Sequence, residues 1–364
     1  MDAQKEKEKL KILLLPKYNR SGPSSRYRFY NYLEIIESNN YKYDIKPLLG
    51  DNFIKHLFIE GKKSIFLTIL GFIKRFALLF KIFYYDLIII EYELFPFFPA
   101  IFERILRVLR IKYIVDYDDA IFIKYENNSN PIIKLLLKNK IKTVVKNSEA
   151  VITANKFIYE YAKKHNENVY IIPTVVSRKK YDNSTVTEKS NYFIVGWIGT
   201  PQTSYYLLDI LPELKKLNIE NFRINLIGTD KNILKFCNDT KFNFIEWKEE
   251  TEILEIKKFN VGIMPLDNNP WSMGKSGFKI IQYMACKLPV IASPVGINCE
   301  LVENGYNGFL VKTPEEWREA IMILYNNPEK AHEMGINGYI KFCRYYSLES
   351  VSLKYMSIIN SIIK

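Results

Sequence analysis

The sequence predicts an α/β protein made of two Rossmann-like domains with parallel sheets that face a central cleft. Its 364 residues are enough for two domains, each with a full core. Short apolar runs of strand length alternate with helical patterns throughout the chain. Each half also opens with a strand and a turn of small residues, at 11–22 and again at 193–201. This repeated opening indicates two domains of one architecture.

The composition limits the classes of partner and compartment. The formal net charge of +12 favours an anionic partner, such as nucleic acid, a lipid surface or a phosphorylated substrate. Lysine, isoleucine, asparagine and tyrosine are all abundant, so a compositional bias with scattered surface lysines is the alternative. The four cysteines lie far apart without metal-ligand spacing, which indicates free thiols in a reducing compartment. Residues 1–9 alternate acids and bases and lack the apolar core of a signal peptide, which predicts a cytoplasmic protein.

Residues 1–176 form the predicted first domain. Its predicted strands are the apolar runs 11–15, 43–48, 86–90, 112–115, 150–154 and 169–172. The first predicted helix follows loop 18–28 and ends near residue 37. The others cover 53–85, 99–110 and 156–165. Small and basic residues fill loop 18–28, which suits an acidic ligand at the end of the first strand. A solvated basic loop is the alternative.

The helix predicted at 53–85 has an apolar stripe interrupted by basic residues. The stripe consists of Ile69, Phe72, Phe76, Leu79, Phe80 and Phe83, and the residues off it are Lys74, Arg75 and Lys81. We expect the stripe to pack against the sheet of its own domain. An interfacial helix that rests on an anionic membrane is the alternative, because the period alone does not separate the two. No apolar run reaches transmembrane length without a charge.

Five carboxylates follow two of the predicted strands of the first domain. They are Glu91, Glu93, Asp116, Asp118 and Asp119. Crowded carboxylates are costly unless a cation, a proton or a polyol shares them, and acids at the ends of parallel strands project into the ligand crevice. We therefore expect a functional group here. One helix-capping aspartate with solvated neighbours is the alternative.

A polar linker is predicted at 177–191, and residues 192–345 form the predicted second domain. Its predicted strands include 193–198, 222–227 and 242–245, and the predicted helices near the C-terminus are 314–326, 328–345 and 348–363. Gly199 and Thr200 follow the first of these strands, and we expect their backbone amides to face a phosphate.

The strongest candidate site lies within 261–311, a stretch with the pattern strand, loop, helix, strand. Its loop contains Lys275, Gly277 and Lys279 just before the predicted helix 280–286. Backbone amides and the positive end of a helix dipole suit an oxyanion, most economically a phosphate. The sequence therefore predicts a bound nucleotide diphosphate at this end of the second sheet.

Gly274 to Gly296, followed by Asn304-Gly305 and Asn307-Gly308-Phe309-Leu310, resembles the donor-binding half of family 4 glycosyltransferases, which are retaining enzymes of the GT-B fold. The loop is most similar to a branch of that family with the sequence Gly-Lys-x-Gly-Phe-Lys. Most members carry two glutamates eight residues apart, and Gly274 and Gln282 stand at those positions here. Gln282 can still bond a ribose hydroxyl, because its amide both donates and accepts.

The resemblance implies transfer of a sugar from a nucleotide-diphosphate sugar to an acceptor hydroxyl by a retaining hexosyltransferase. The implied setting is the synthesis of bacterial cell-envelope polysaccharide or glycolipid. The implied partners are a nucleotide sugar, a glycan or lipid-linked acceptor and an anionic membrane at its inner face, with no metal and no other cofactor. Residues 346–364 form a helix that crosses back to the first domain in this fold.

The site residues implied by the resemblance fall into three groups. The catalytic group is Asp118, Asp119 and Lys279. The donor-binding group is Gly199, Thr200, Lys275, Ser276, Gly277, Phe278, Lys279 and Gln282. The acceptor-side group is Ser24, Ser25, Arg26, Arg28 and Glu93.

Other functions stay open. A sugar-nucleotide epimerase or phosphorylase has the same two-domain build, and the missing glutamates also allow a non-catalytic relative that binds the donor. A basic nucleic-acid-binding protein is a further class, but no RNA-recognition signature or basic stripe is present, so we expect no nucleic acid. Asp116-x-Asp118 also fits the metal-binding pair of the other large glycosyltransferase fold.

Overall fold

The structure is a computed structural model that describes residues 9–59, 61–185, 190–237 and 240–363. It divides into two compact units, Met1–Pro173 with Val351–Lys364, and Thr174–Ser350. Each unit contains a six-stranded sheet, and every strand pair in both sheets is parallel. The predicted α/β class with two Rossmann-like domains is therefore confirmed. The prediction of a cytoplasmic protein rests on residues 1–9, and residues 1–8 of this segment lie outside the described residues.

The first unit has its strands in the order β2-β1-β3-β4-β5-β6. They are β1 (Lys11–Leu15), β2 (Lys42–Ile45), β3 (Leu87–Glu91), β4 (Tyr113–Tyr117), β5 (Ala150–Thr153) and β6 (Val169–Ile171). The chain leaves β1 for β2 on one side and then returns to β3 on the other side. The topological switch point of this sheet, where open α/β sheets hold their ligands, therefore lies between β1 and β3.

Helices cover the sheet of the first unit. They are α1 (Pro23–Arg28), α2 (Leu33–Ser38), α3 (Asp51–Ile59), α4 (Ile65–Leu79), α5 (Ile101–Val108), α6 (Phe122–Glu126), α7 (Pro131–Leu137), α8 (Lys140–Asn147) and α9 (Lys156–Lys163). Short 3-10 helices occupy Tyr30–Tyr32 and Ile82–Tyr84. The central strands β3, β4 and β5 are fully buried, as expected for a parallel sheet with helices on both faces, whereas the edge strand β2 is partly exposed.

The second unit has its strands in the order β12-β11-β10-β7-β8-β9. They are β7 (Phe193–Ile198), β8 (Phe222–Ile227), β9 (Phe242–Ile245), β10 (Val261–Met264), β11 (Val290–Ala292) and β12 (Gly308–Leu310). Here the chain runs outward from β7 to β9 and restarts at β10 on the other side of β7. The switch point of the second sheet therefore lies between β7 and β10.

The helices of the second unit are α10 (Arg178–Asp182), α11 (Leu211–Lys215), α12 (Glu252–Lys257), α13 (Pro270–Met273), α14 (Phe278–Ala285), α15 (Asn298–Leu301), α16 (Pro314–Asn326) and α17 (Pro328–Tyr345). Short 3-10 helices occupy Pro201–Leu207 and Lys231–Phe236. A last helix, α18 (Leu348–Ile363), belongs to the first unit from Val351 onward, where the ring of Tyr355 lies 4.2 Å from that of Tyr32.

The predicted strands are all present, with bounds shifted by a few residues, and the three helices predicted near the C-terminus have the predicted bounds. The predicted linker 177–191 is corrected in part, since it contains α10, and its residues 186–189 lie outside the described residues. Tyr181 of α10 is buried in the second unit and accepts a hydrogen bond from Gln282 Nε2 at 3.2 Å. The segment is held by this contact, which a polar composition does not reveal.

The long helix predicted at 53–85 is divided into α3, α4 and a 3-10 helix. The expectation that its apolar stripe packs inward is wrong for most of the stripe: Ile69, Phe76, Phe80 and Phe83 are exposed. The inward face of α4 instead carries Gly71 and Arg75, and both are buried. Among the described residues, we find no helix with the length and apolarity needed to span a bilayer.

Candidate active site

The loop after β10 brings the candidate donor site to the switch point of the second sheet. It contains the short helix α13 and ends at Gly277, the residue before α14. Gly277 has a φ of +66°, and a Cβ atom at this position would lie 2.4 Å from Leu301 Cδ1. Both the left-handed backbone and the contact require glycine here. The Ile280 N–H donates to Gly277 O at 3.0 Å, and the positive end of the α14 dipole at this turn favours an oxyanion.

Two lysines of this loop stand over aromatic rings. Lys279 Nζ lies 4.5 Å from the ring centroid of Trp197, a fully buried residue of β7, and Lys275 Nζ lies 4.6 Å from that of Trp271. Burial, together with the charge of Lys275, lowers the pKa of Lys279 to about 7. A bound anion would offset both effects. The pair is therefore arranged to favour a negative ligand.

The predicted amide donors after β7 are corrected. The N–H of Gly199 donates to Ile227 O at 3.0 Å, which continues the ladder between β7 and β8. The N–H of Thr200 donates to Thr203 Oγ1 at 3.1 Å within a capping box. Both amides are thus used by the fold and do not serve as free phosphate donors, although the two residues lie at the predicted turn.

Gln282, which was predicted to bond a ribose hydroxyl, belongs to a buried hydrogen-bond network. Gln282 is 2% exposed, and its Nε2 donates to Tyr181 Oη at 3.2 Å and to Glu252 Oε1 at 3.0 Å. Glu252 Oε2 in turn accepts from Trp247 Nε1 at 2.5 Å. The nitrogen of the amide is therefore committed to other side chains, so the predicted bond to a ribose hydroxyl rests on the amide oxygen. A glutamine suits this place because a second carboxylate beside buried Glu252 would be repelled.

Glu91 is the centre of the candidate site in the first unit, at the β1/β3 switch point. Its Oε2 accepts from Ser25 Oγ at 2.5 Å and from the Lys17 N–H at 2.6 Å, and its Oε1 accepts from Ser24 Oγ at 2.7 Å. Burial and the nearby charge of Asp118 raise the pKa of Glu91, these hydrogen bonds lower it in part, and the net result is a pKa of about 7. Ser24 and Ser25, predicted on the acceptor side, both donate to Glu91 here.

A chain of contacts joins Glu91 to Asp118. Ser24 Oγ lies 3.1 Å from Tyr92 Oη, and Tyr92 Oη donates to Asp118 Oδ1. If both carboxylates are ionised, the two hydroxyls supply two protons for three contacts, so one contact has no proton. A single proton on either carboxyl completes the chain. Burial, followed by the charge of neighbouring Asp119, raises the pKa of Asp118 to about 6, which favours such a shared proton.

Two other predicted residues are corrected because the fold neutralises them. Arg28 forms a buried two-pronged ion pair with Asp116, with Nε to Oδ1 at 2.7 Å and Nη2 to Oδ2 at 2.8 Å, and its Nη1 donates to Ile172 O at 2.7 Å. Glu93 forms a buried ion pair with Lys140 and accepts from Tyr125 Oη at 2.8 Å. These contacts bury Arg28 and Glu93 inside the first unit and occupy their charged groups.

The remaining predicted residues differ in exposure. Arg26 is buried, with Nη1 3.4 Å from Arg20 O and its guanidinium over the Tyr27 ring. Asp119 is partly exposed, whereas the other four carboxylates of the group are buried. Ser276 and Phe278 lie in the donor loop and are partly exposed.

The proposed metal pair Asp116-x-Asp118 is not arranged around an ion. Asp116 uses both carboxylate oxygens for Arg28. Within the described ranges of the chain, no group of three or more His, Cys, Asp or Glu side chains is placed to hold a metal ion.

Sequence reasoning missed three participants. Tyr92 had no signal in the sequence, since it follows a strand without any motif. Trp197 stands in Gly-Trp-Ile-Gly, and only the structure shows that its ring supports Lys279. Tyr283 of α14 accepts from the Ile198 N–H and donates to Ile263 O, both at 3.2 Å, and so joins β7 to β10 at the switch point.

Comparison with known proteins finds similarity to glycosyltransferases. The family model described as "Glycosyl transferases group 1" matches residues 190–327, which lie in the second unit. A probable sucrose-phosphate synthase of Thermosipho melanesiensis is 39% identical over 83 residues, or 23% of this chain and 19% of that protein. An uncharacterized glycosyltransferase of Methanocaldococcus jannaschii is 28% identical over 218 residues, or 56% of this chain and 59% of that protein. The chain thus spans less than two thirds of the length of either relative.

Solved structures resemble the whole chain. Sucrose-phosphate synthase of Thermosynechococcus elongatus has a TM-score of 0.71 at 16% identity and covers 97% of this chain and 99% of its own. A glycosyltransferase of Rickettsia africae has a TM-score of 0.70 at 17% identity, covering 98% of this chain and 100% of its own. Anabaena HepE in complex with UDP-glucose has a TM-score of 0.69 at 14% identity, covering 97% and 100%. The chain therefore has the GT-B glycosyltransferase fold, and its second unit carries the match to group 1 glycosyltransferases.

Proposed function

We propose that the protein is a retaining glycosyltransferase that moves a hexose from a nucleotide-diphosphate sugar to an acceptor hydroxyl. The observation that carries this proposal is the donor loop. Lys275, Gly277 and Lys279 stand at the β7/β10 switch point, inside the segment that the family model matches. Uridine diphosphate is the first nucleotide to test, because a structural neighbour of the same fold is solved with UDP-glucose.

Charge development explains why these residues suit the reaction. As the bond between the anomeric carbon and the phosphate oxygen breaks, negative charge grows on the departing diphosphate and the sugar gains oxocarbenium character. Lys279, Lys275 and the first-turn amides of α14 would stabilise that charge more in the transition state than in the ground state. Lys279 is partly exposed and half neutral near pH 7, so a bound diphosphate would restore its charge where it is needed.

The acceptor side is proposed for the first unit. Asp118 and Asp119 would orient the acceptor or the donor sugar, and the Glu91–Ser24–Tyr92–Asp118 chain would hold a proton near that place. In a retaining reaction without an enzymic nucleophile, the departing phosphate can itself take the acceptor proton. We propose a glycan or lipid-linked acceptor of the bacterial cell envelope, reached from the cytoplasmic face.

The test is a transfer assay with UDP-hexose donors that follows release of UDP and formation of the glycoside. Lys279→Ala should lower turnover by about two to three orders of magnitude, because a fixed cation is lost from the departing oxygens. Lys287→Ala is the matched control, since Lys287 Nζ also stands over an aromatic ring, 4.7 Å from the Tyr339 centroid, but after the end of α14. It should keep wild-type turnover.

A Lys279→Ala enzyme with near-wild-type turnover would remove Lys279 from this role. Turnover should persist in EDTA, because lysines and amides face the diphosphate in place of an ion; a strict manganese requirement would contradict this. Conversion of the donor sugar without any acceptor would identify an epimerase. Donor binding without conversion would identify a non-catalytic relative. Gly274 and Gln282 in place of the two glutamates of the resembled family are the observation in favour of that alternative.

A further inference from the structure

Helix α4 packs Phe72, Leu78 and Leu79 against the core, but it exposes most of its other apolar side chains and buries a charged one. Phe66 is 74% exposed, Ile73 60%, and Phe80, which caps the helix, 72%. Arg75 is 3% exposed, and Gly71 beside it is also buried. A surface helix of a globular protein ordinarily has the reverse arrangement, with apolar side chains inward and charges outward. The outer face of α4 is therefore built for an environment other than water.

The inward face fixes this orientation. Arg75 Nη2 donates to Pro16 O at 3.1 Å and to Lys46 O at 3.0 Å, the residues that follow β1 and β2. At Gly71 the backbones approach so closely that a Cβ atom would lie 2.2 Å from Leu48 O. Turning α4 to bury its phenylalanines would break the Arg75 bonds and leave these carbonyls without that donor. The contacts of the fold thus specify the exposed apolar face.

The exposed surface continues onto helix α5. The ring of Phe76 on α4 lies 5.9 Å from that of Phe102 on α5. Helix α5 also exposes aliphatic side chains, among them Ile101, Ile105 and Val108. The exposed apolar side chains of residues 65–80 and 101–108 are named the α4–α5 face here. A contiguous apolar surface of this kind marks an interaction site.

The charged residues of the segment that contains α4 all have one sign. Residues 61–85 contain Lys62, Lys63, Lys74, Arg75 and Lys81 but no aspartate or glutamate. The four lysines are exposed: two precede the helix, one follows it, and Lys74 lies at the edge of the apolar arc when residues are placed at 100° intervals. An apolar centre with a rim of cations is complementary to an anionic lipid surface.

A groove beside α4 adds to this complementarity. It encloses about 750 Å³ between apolar side chains of α3 and α4 and is lined by Lys46, Lys74 and Lys81. Asp51 also lines it and accepts from Asn19 Nδ2 at 2.6 Å. Apolar walls with ammonium groups suit a lipid with a phosphate headgroup.

We propose that the α4–α5 face docks the protein onto an anionic lipid bilayer. Helix α4 would lie in the plane of the interface, with its phenylalanines and isoleucines among the acyl chains and the lysines on headgroup phosphates. A bilayer is favoured over a second copy of the chain, because two such faces would bring like charges together. This inference stands apart from the proposed reaction, since binding to vesicles needs neither donor nor turnover.

Sedimentation of the full chain with vesicles tests the proposal. The wild-type protein should sediment with vesicles of phosphatidylcholine and phosphatidylglycerol, more weakly with phosphatidylcholine alone, and less in high salt. Ile73→Ser/Phe80→Ser should lower the partition constant about 100-fold, or about tenfold for each exposed side chain. Lys74→Gln/Lys81→Gln should lower binding to the anionic vesicles about tenfold and leave binding to neutral vesicles unchanged.

Ile340→Ser/Leu353→Ser is the matched control, because both side chains are exposed on other helices, α17 and α18. It should bind vesicles as the wild type does. If Ile73→Ser/Phe80→Ser has a lower Tm than the wild type, the single variant Phe66→Ser is used in its place. The proposal is overturned if the wild type stays in the supernatant with anionic vesicles or if the serine variants sediment as the wild type does. It is also overturned if light scattering shows a dimer that the serine variants abolish while vesicle binding is absent.

Discussion

The buried carboxylates of the first unit differ in the groups that neutralise or solvate their charge. In the first unit, Arg28 pairs with Asp116 and Lys140 pairs with Glu93, so those four groups serve the fold. The carboxylate of Glu91 instead accepts hydrogen bonds from two hydroxyls and a backbone amide, and burial raises its pKa to about 7. A buried carboxyl without a cation tends to hold a proton. Glu91 and Asp118 are thus the buried carboxyls of this group that lie outside the two ion pairs.

The pH dependence of stability should report this proton. The pKa of Glu91 rises from 4.5 to about 7 on folding, so the folded state holds the proton across that interval. The stabilisation is complete below pH 4.5 and is lost as the pH rises through about 7. Its slope is at most about 1.4 kcal/mol per pH unit. Glu91→Gln, which carries no titrating proton, should remove this slope from the free energy of unfolding measured in urea between pH 5 and 8.

Glu37→Gln is the control for this experiment, because Glu37 is exposed on α2. It should keep the wild-type slope. An unchanged slope in Glu91→Gln would show that another group accounts for it.

The sequence identifies the carboxylates but not their partners. Acids that directly follow parallel strands are recognisable from the pattern alone, which is why Glu91 and Asp118 were found. The partner of Arg28 lies 88 positions along the chain, and no local pattern indicates it. Basic residues after a first strand therefore gave Arg28 a ligand-binding interpretation that tertiary contacts overturn.

Among the secondary-structure elements, those with local signals are predicted best. Helices α16 and α17 begin at Pro314 and Pro328, and each proline follows a residue whose side chain caps the helix, Thr313 and Asn327. These signals are complete within a few residues. No such local signal shows which face of α4 is buried, because the helical period of its apolar residues is the same whichever side faces inward. The close backbone contact at Gly71 determines which face lies inward.

Helix α14 packs closely against β10 at Gly262, where the ring of Tyr283 leaves no room for a side chain. A Cβ atom at Gly262 would lie 2.3 Å from Cγ of Tyr283, whose hydroxyl joins β7 to β10. Gly262→Ala should therefore destabilise the protein by about 1–3 kcal/mol, because the buried ring has to shift. Gly50→Ala is the matched control, since no atom lies within 4 Å of its Cβ position. Urea unfolding measures both, and equal effects would show that the packing of Tyr283 is adaptable.

On the scale of the whole molecule, the candidate functions are divided between two units with separate cores. The core of the second unit contains Trp197, and the core of the first contains Tyr92 and Tyr117. All the groups proposed to hold the diphosphate belong to the second unit, as does the family match. The α4–α5 face belongs to the first unit. The length and the repeated opening of the sequence predict this division.

Binding of UDP should therefore protect the second unit selectively. At 100 times its dissociation constant, a ligand stabilises the state that binds it by about 2.7 kcal/mol. Hydrogen exchange should slow in peptides from 261–296, where the lysines and the start of α14 would hold the diphosphate, while peptides from strands β3 and β5 keep their rates. Lys279→Ala should lose this protection and Lys287→Ala should keep it. Slower exchange confined to the first unit would place the nucleotide at the β1/β3 switch point instead and would reverse the proposed roles of the two units.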